Sequence, residues 1–588
     1  MKTNNKTIRR LFSKHIVRFF TVALITLVSI SFIYGILEVE SKIKTAMNDF
    51  YIEHSMHDIY IKSKKPMGFS KTDIEKIENE YGKDNTVKSF CYELEIDSKI
   101  TRVYSYDLES SINQLELLEG TFPTKPNEIV VERKTKIIDG YNVGDKVSLQ
   151  GMEYTVTGIV YNPLFIMVQE EPSFTDQDRP IENVIYFNQS PFMVNDISIK
   201  LDNLSEILIY SKDYEDIIDE EKEKLSLVFN EEDASILSLY ENAGFFSLKE
   251  YSEKVSLIGV VFVVFFLLIT VLVIYSTMSR LLDEERAQNA CMKTLGFSNY
   301  QIINKYLIFT SFAIIIGALA ASIVGTYFTV VIYNAFNFQY EMPTYPGEVN
   351  IILYSLVSIG MLLVNIILIA VVALKNVNHN PAYLLRPKSP KAGKKVILER
   401  IGIIWNRLSF KYKSTCRNVL LFKSRFFMTV ISIMFSTMLV LAGMGLMDCA
   451  LKVKGAESLS LISIGLIVFS GVLCALVIYN ITNINVSERN REIATLMVLG
   501  YRDNEVTGYI YREIYIMSAI GAIFGVPCGY LFMEFVFGLI DFGSVGDINW
   551  WTWILSPLLT MVYSVLSTMM LRKKIIKTDM NASLKILE

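Results

Sequence analysis

VSLIGVVFVVFFLLITVLVIYST, residues 255–277, carries no charged side chain. Its length is about the roughly 20 residues that a helix needs to cross bilayer hydrocarbon. Seven further uncharged apolar runs share this character: Phe19 to Leu37, Ile308 to Ile332, Ile351 to Leu374, Phe426 to Met447, Leu459 to Ile478, Ile514 to Met533 and Trp551 to Leu571. The chain therefore reads as a polytopic membrane protein. Its whole composition agrees: 588 residues, 51% hydrophobic, with a mean hydropathy of +0.33. The balance of 57 Lys plus Arg against 61 Asp plus Glu argues against a disordered or nucleic-acid-binding protein. The first run is long for a signal-peptide core, and no small-residue cleavage site follows Ile33 to Leu37, so it is expected to remain as a membrane anchor.

Orientation follows from the short flanks. Residues 1–18, 278–307, 375–425, 482–513 and 572–588 together hold 32 basic and 11 acidic residues. By the positive-inside rule these segments, and with them both termini, are expected on the cytoplasmic side of the cell membrane. The same alternation puts Glu38 to Lys254 outside as one large domain, and the other outer loops are short. Of the six cysteines only Cys91 lies firmly in that domain, so an ordinary core rather than an internal disulfide must hold it.

The chain also repeats. Sliding it against itself until Leu295-Gly296 falls on Leu499-Gly500 brings Glu284 onto Glu488, Ala290 onto Ala494, Gly317 onto Gly521 and Gly325 onto Gly529. Two halves of four helices thus share one plan. The third helix of each half spaces small residues by four, as Gly317, Ala321, Gly325 and as Gly521, Gly525, Gly529. That spacing places them on one face, where missing side chains let membrane helices approach closely. Each half ends alike, with Asn380 to Arg386 after the fourth run and Asp579 to Lys585 after the eighth. They differ in that Cys449 to Ser458 is a mere turn where the first half has its large domain.

Between the second and third helix of each half lies a short amphipathic segment, 281–296 and 485–500. Leu281, Leu282, Ala290, Cys291 and Leu295 alternate with Asp283, Glu284, Glu285, Arg286 and Lys293 in the first. In the second, Ile493, Leu496 and Met497 follow Glu488, Arg489, Arg491 and Glu492. A glycine, Gly296 or Gly500, stops each. An interfacial helix lying in the headgroups has the same amphipathicity. Its recurrence in register favours a docking element that receives a push from a soluble motor.

The large domain reads as α/β. Ser70 caps a helix through Glu78, and Glu128 to Glu132, Val143 to Leu149 and Tyr154 to Val160 have strand patterning. Asp213 to Glu223 reads as a solvated helix face. Because the two ends of this domain feed the first and second spans, it moves only if those helices move. Chemistry is sparse: the chain has no G-x-x-x-x-G-K-[ST], H-E-x-x-H, G-x-S-x-G or C-x-x-C pattern. His54 and His57 share a helical spacing but read as exposed polar residues at a stalk rather than metal ligands. Asn365 reads as interhelical glue and Glu534 as an interfacial side chain. No run carries an ionisable group, so an ion- or proton-coupled transporter is disfavoured.

Glu488-Arg489-Asn490-Arg491-Glu492-Ile493-Ala494-Thr495-Leu496-Met497-Val498-Leu499-Gly500-Tyr501 resembles the E-R-x-R-E-I-A-x-L-x-x-L-G segment of the FtsX-like/MacB-like permeases of ABC transporters, the type VII or mechanotransmission class. Asp283 to Phe297 is a weaker copy, with Gln288-Asn289 where Glu-Ile is usual. Leu118 to Pro123, Asn127 to Val131, Val143 to Val147 and Tyr154 to Val160 resemble the MacB-like extracytoplasmic domain.

The resemblance implies a permease that recruits a separate cytoplasmic ATPase, two copies per chain, whose dimerisation on ATP drives the cytoplasmic helices together. The implied docking residues are Glu284, Arg286, Leu295, Gly296, Glu488, Arg489, Arg491, Glu492, Leu499 and Gly500. ATP and magnesium belong to the partner; this chain is expected to be no enzyme and to hold no cofactor. The expected layout is 1–37 with the first span, 38–254 outside, 255–374 and 426–571 as permease halves, 375–425 as a basic cytoplasmic linker with the second half's spans at 426–478 and 479–571, and 572–588 as a cytoplasmic tail. Two activities fit: export or extraction of an amphipathic peptide, antibiotic or lipid, and force transmission to an extracellular enzyme or sensor kinase without cargo.

Overall fold

The computed structural model describes residues 2–96, 98–167, 179–204, 207–230, 232–385, 406, 409–421, 423–452 and 457–576. Most of the basic linker and the 579–585 segment lie outside the described residues. Eight helices among those described are long and apolar enough to cross a membrane: Ile16–Glu53, Ala243–Glu284, Asn299–Phe338, Ile351–Val377, Phe426–Ala450, Leu459–Ser487, Asp503–Ile540 and Trp550–Arg572. Each contains one of the apolar runs, extended by polar turns at one or both ends. On the fourth helix Ile352, Leu356, Ile359, Leu363, Ile367, Val371 and Leu374 are exposed at helical spacing. A continuous apolar stripe of this kind marks a surface covered by lipid or by another protein. Asn365 is fully buried in that helix, yet its amide donates to the Met361 carbonyl one turn back at 2.7 Å, a bond within its own helix. Glu534 lies inside the seventh helix, which continues to Ile540.

The chain divides into two compact units. The first comprises residues 1–38, 256–332 and 349–588 and contains the membrane bundle. Within it the first helix of each half packs on the third. The halves meet through their second helices, where the Asn480 amide donates to the Thr277 hydroxyl at 2.8 Å. These two residues sit at nearly matching places in the two halves. Phe32, Phe328 and Phe469 fill the same seam, with Phe328 and Phe469 centroids 4.6 Å apart.

The second unit comprises 39–255 and 333–348. Its ten strands are β1 (Ile59–Ser63), β2 (Thr86–Ile96), β3 (Lys99–Tyr106), β4 (Glu116–Gly120), β5 (Glu128–Glu132), β6 (Lys146–Leu149), β7 (Met152–Tyr161), β8 (Asn183–Asn188), β9 (Asp196–Ile199) and β10 (Ala234–Ser238). They form a mixed sheet in the order β10-β1-β9-β2-β3-β8-β5-β7-β4, with β6 on β7. Only β3–β8 and β5–β7 run parallel. Strand alternation sends Val103, Ile129, Val131, Val156 and Ile185 to one face and Val87, Val130, Val160, Val184 and Tyr186 to the other, so both faces carry a core. Ser70 caps the helix Lys71–Tyr81 with a full capping box, and the acidic stretch forms the helix Lys212–Val228 against β10.

The loop after the third span, expected only to be short, belongs to this unit. Tyr340 bridges Met167, the Glu341 amide donates to the Ile166 carbonyl at 2.7 Å, and the Tyr161 hydroxyl donates to the Glu341 carbonyl.

Candidate functional site

The two segments expected to dock a partner share one construction. The second span helix of the first half runs to Glu284, breaks at Glu285, and resumes as a short helix over Arg286–Thr294. In the second half the helix Glu457–Glu488 breaks at Arg489 and resumes over Asn490–Val498. The first residues of the expected 281–296 and 485–500 segments therefore finish the preceding span. Each short helix is nine residues long. Its apolar face is buried through Ala290 and Met292 in one copy and Ile493 and Ala494 in the other.

Both copies end in the same backbone motif. The Gly296 and Phe297 amides donate to the Lys293 and Met292 carbonyls, each at 3.0 Å; the Gly500 and Tyr501 amides reach Met497 and Leu496 at 3.0 and 3.1 Å. This is a Schellman ending, which needs a left-handed residue after the cap. Gly296 and Gly500 supply it with φ of +86° and +85°. The turn leaves Leu295 and Leu499 77% and 68% exposed. An exposed leucine thus stands at the same place in both copies, at the end of a capped helix.

The charged residues around these helices sort differently from the expectation. Arg489 is buried, and its guanidinium meets Glu513 of the following helix at 2.6 Å, the two side chains being 6% and 7% exposed. Its role is internal, and the expectation that it faces a docking partner is corrected: a desolvated cation held by a buried carboxylate has no face to offer. Glu284 spends both oxygens on Arg18 of the first helix, at 2.9 and 2.5 Å. Arg286 caps the Tyr383 carbonyl at 2.7 Å and stacks over its ring, tying the short helix to the segment after the fourth span. The side chains of Glu488, Arg491 and Glu492 lie outside the described set.

Glu285 occupies the break that Arg489 occupies in the other half, and carries the opposite charge. Lys14 and His15 contact it at 2.8 and 3.1 Å. Burial raises its pKa, but the hydrogen bonds from His15 and Lys14 outweigh that and hold it down at about 2. The same hinge is thus locked to the N-terminal helix in one half and to the third helix of its own half in the other.

The small residues occupy the helix-packing faces. A Cβ on Gly317 would lie 2.5 Å from the Ala23 carbonyl oxygen, and one on Gly325 would lie 2.8 Å from the Tyr34 ring. Ala321 is fully buried between them. In the other half a Cβ on Gly521, Gly525 or Gly529 would meet Ile433, Thr437 or Leu441 at 2.9, 2.7 and 3.2 Å. In each half the third helix therefore touches the first almost backbone to backbone.

A second matched feature escaped the sequence reading. Glu38, on the first helix, accepts the Asn350 amide at 3.0 Å immediately before the fourth helix; Asp448, on the fifth, accepts the Asn549 amide at 3.0 Å immediately before the eighth. Both carboxylates are buried, and each neutralises the positive end of a helix. The available signal was the first acid after the first run of each half. His54 and His57 are buried rather than exposed as expected, because they bond Phe50 and Asn113 beyond the end of the first helix, and no metal-type cluster occurs among the described residues.

These features describe a membrane protein whose two halves are similarly built. The family model described as FtsX-like permease C-terminal matches residues 260–381 and again 464–580. Over these two segments the chain is similar to the FtsX-like permeases, components of ABC transporters, a family that implies a cytoplasmic ABC ATPase as partner. Comparison with curated proteins gave no match.

Proposed function

We propose that this permease docks two copies of a separate cytoplasmic ATPase, one on each short helix, and converts their ATP-driven approach into movement of an extracytoplasmic α/β domain. On this reading both termini are cytoplasmic, and the work exports or extracts an amphipathic substrate such as a peptide, antibiotic or lipid. The observation that carries the reading is the duplicated Schellman-capped helix with Leu295 or Leu499 at its exposed end, which Gly296 and Gly500 fix in place, while Arg286 ties the start of the first such helix to Tyr383. Rigid, repeated elements transmit force where a flexible loop would absorb it. The helices Ile16–Glu53 and Ala243–Glu284, unbroken over their lengths, support transmission along the first half.

Co-purification with the ATPase tests this reading. Leu295→Asp with Leu499→Asp places a charge at the centre of each apolar contact. The double variant is expected to fold, because both side chains face solvent, and to lose ATPase capture at least tenfold, as removal of central apolar anchors does. Unchanged capture and unchanged ATP turnover would sink the docking assignment.

A further inference from the structure

His57 stands just past the end of the first helix and presents a buried nitrogen with a fixed protonation state. The Asn113 side-chain oxygen accepts from the His57 backbone amide at 3.0 Å, which sets the orientation of the Asn113 amide. The same oxygen lies 2.9 Å from His57 Nδ1, so Nδ1 carries the ring proton and donates to it. Burial, aided by the nearby Lys200 cation and opposed in part by the bond to Asn113, lowers the His57 pKa to about 4, so the ring takes no second proton at neutral pH. Nε2 is therefore a bare acceptor. The ring is held from its face as well, stacked on Tyr60 at 5.6 Å.

His57 is only 5% exposed and lines a cavity of about 180 Å³ in the α/β domain. Nε2 bonds no described residue, yet it is not among the buried atoms sealed from all open space, so it opens into the hollow. The hollow arises from strand register: Tyr60 of β1 and Val87 of β2 flank the small Ser198 of β9, and Tyr104 of β3 pairs with Tyr186 of β8 on the same face. Tyr104 and Tyr186 stack at 5.6 Å and Phe165 meets Tyr104 edge-on at 6.0 Å, which gives the hollow fixed aromatic walls. The charges around it are already paired. Arg102 gives two hydrogen bonds to Glu93, Glu241 is paired with Lys222, and Asp196 holds the Tyr60 hydroxyl beside the cations of Lys62 and Arg102. The Ser198 hydroxyl can donate or accept and sets no demand, whereas Nε2 can only accept.

We propose that this cavity binds a small uncharged aromatic ring that carries a hydrogen-bond donor, of the indole type, with the donor directed to His57 Nε2 and the ring against Tyr104 and Phe165. The size agrees, since a cavity of roughly 150 Å³ admits benzene. A charged ligand would lose its hydration without meeting an unpaired counter-charge. Aromatic walls select a flat ring over a saturated one by offset and edge-on contacts. A donor is selected because a ligand without one displaces the water that Nε2 would otherwise bond and leaves that nitrogen unsatisfied. Binding depends on the geometry of this domain alone and not on ATPase docking.

The test uses the full-length chain in lipid nanodiscs, without any ATPase, labelled with nitrogen-15 in the imidazole rings of its four histidines. His57→Phe identifies the His57 resonances by their disappearance. Titration with indole is expected to move the Nε2 resonance saturably from the position of a bare acceptor toward that of a hydrogen-bonded one. Benzofuran has the same shape with an oxygen in place of the N–H, and is expected to compete roughly fivefold more weakly. Cyclohexanol, a donor without an aromatic face, is expected to compete roughly tenfold more weakly. Ser198→Phe, which fills the hollow, is expected to abolish the shift; the three probes on the unmodified chain carry the test even if that variant fails to fold. An Nε2 resonance that stays fixed or moves without saturating, or equal competition by benzofuran or cyclohexanol, would overturn the proposal. Any of these results would leave the permease reading standing.

Discussion

Glu513→Ala is expected to destabilise the membrane bundle by about 3–5 kcal/mol, because it removes the buried carboxylate that meets the Arg489 guanidinium at 2.6 Å in a site with almost no access to water. The magnitude comes from the asymmetry of buried ion pairs. An intact pair roughly repays its own desolvation, but half a pair leaves an uncompensated charge. The replacement Arg489→Met with Glu513→Leu should therefore recover most of the loss, since apolar residues of similar volume need no counter-charge. Reversible unfolding in mixed micelles checks both variants. If Glu513→Ala stays within about 0.5 kcal/mol of the parent, a typical surface effect, the guanidinium is reaching water and the break at Arg489 is not buried in solution.

The second large effect is steric. Gly317→Leu would put a branched side chain where a Cβ alone lies 2.5 Å from the Ala23 carbonyl oxygen and 3.2 Å from the Leu27 amide. The obstacle is backbone, which cannot rotate away. Even Gly317→Ala, which gains about 1 kcal/mol of helix propensity, must move the first helix, and overpacking of this kind costs about 1–3 kcal/mol. Leucine should exceed that range and sharply lower the folded yield. Gly360 is the control: a Cβ there would meet nothing within 4 Å, so Gly360→Ala should be neutral or slightly stabilising. Equal behaviour of Gly317→Leu and Gly360→Ala would mean that the first and third helices do not meet along this face.

The sequence made some of this legible and hid the rest for physical reasons. The eight spans were readable because hydropathy is a local property and each run is long enough to stand alone. The seam at Gly317 and Gly525 was readable because helical spacing puts small residues on one face wherever the partner lies. Arg489 was misread because its partner, Glu513, lies beyond a turn, and an E-R-x-R-E segment looks uniformly polar until packing turns one member inward. The Glu38 and Asp448 caps were missed because their partners, Asn350 and Asn549, are distant in sequence. The loop 333–348 read only as short, since nothing in its composition announces that Tyr340 and Glu341 pair with Ile166 and Met167. The cavity in the α/β domain depends on Ser198 lying between larger residues of neighbouring strands, which only the register reveals.

The charge inversion at the two breaks gives the halves different anchors. Glu285 ties the first short helix to Lys14 and His15, whereas Arg489 ties the second to Glu513. On the proposed function, similar ends on unlike hinges would let a symmetric motor drive an asymmetric response. That suits a chain with its large domain in one half only.

Spin labels on Leu295→Cys and Leu499→Cys, in a chain whose exposed Cys291 is replaced by serine, report whether the two docking ends approach one another. With the ATPase bound, adding ATP should shift the distance distribution between the two labels to shorter values, and hydrolysis should restore it. A distribution that stays fixed while the complex turns over ATP would contradict force transmission through these helices.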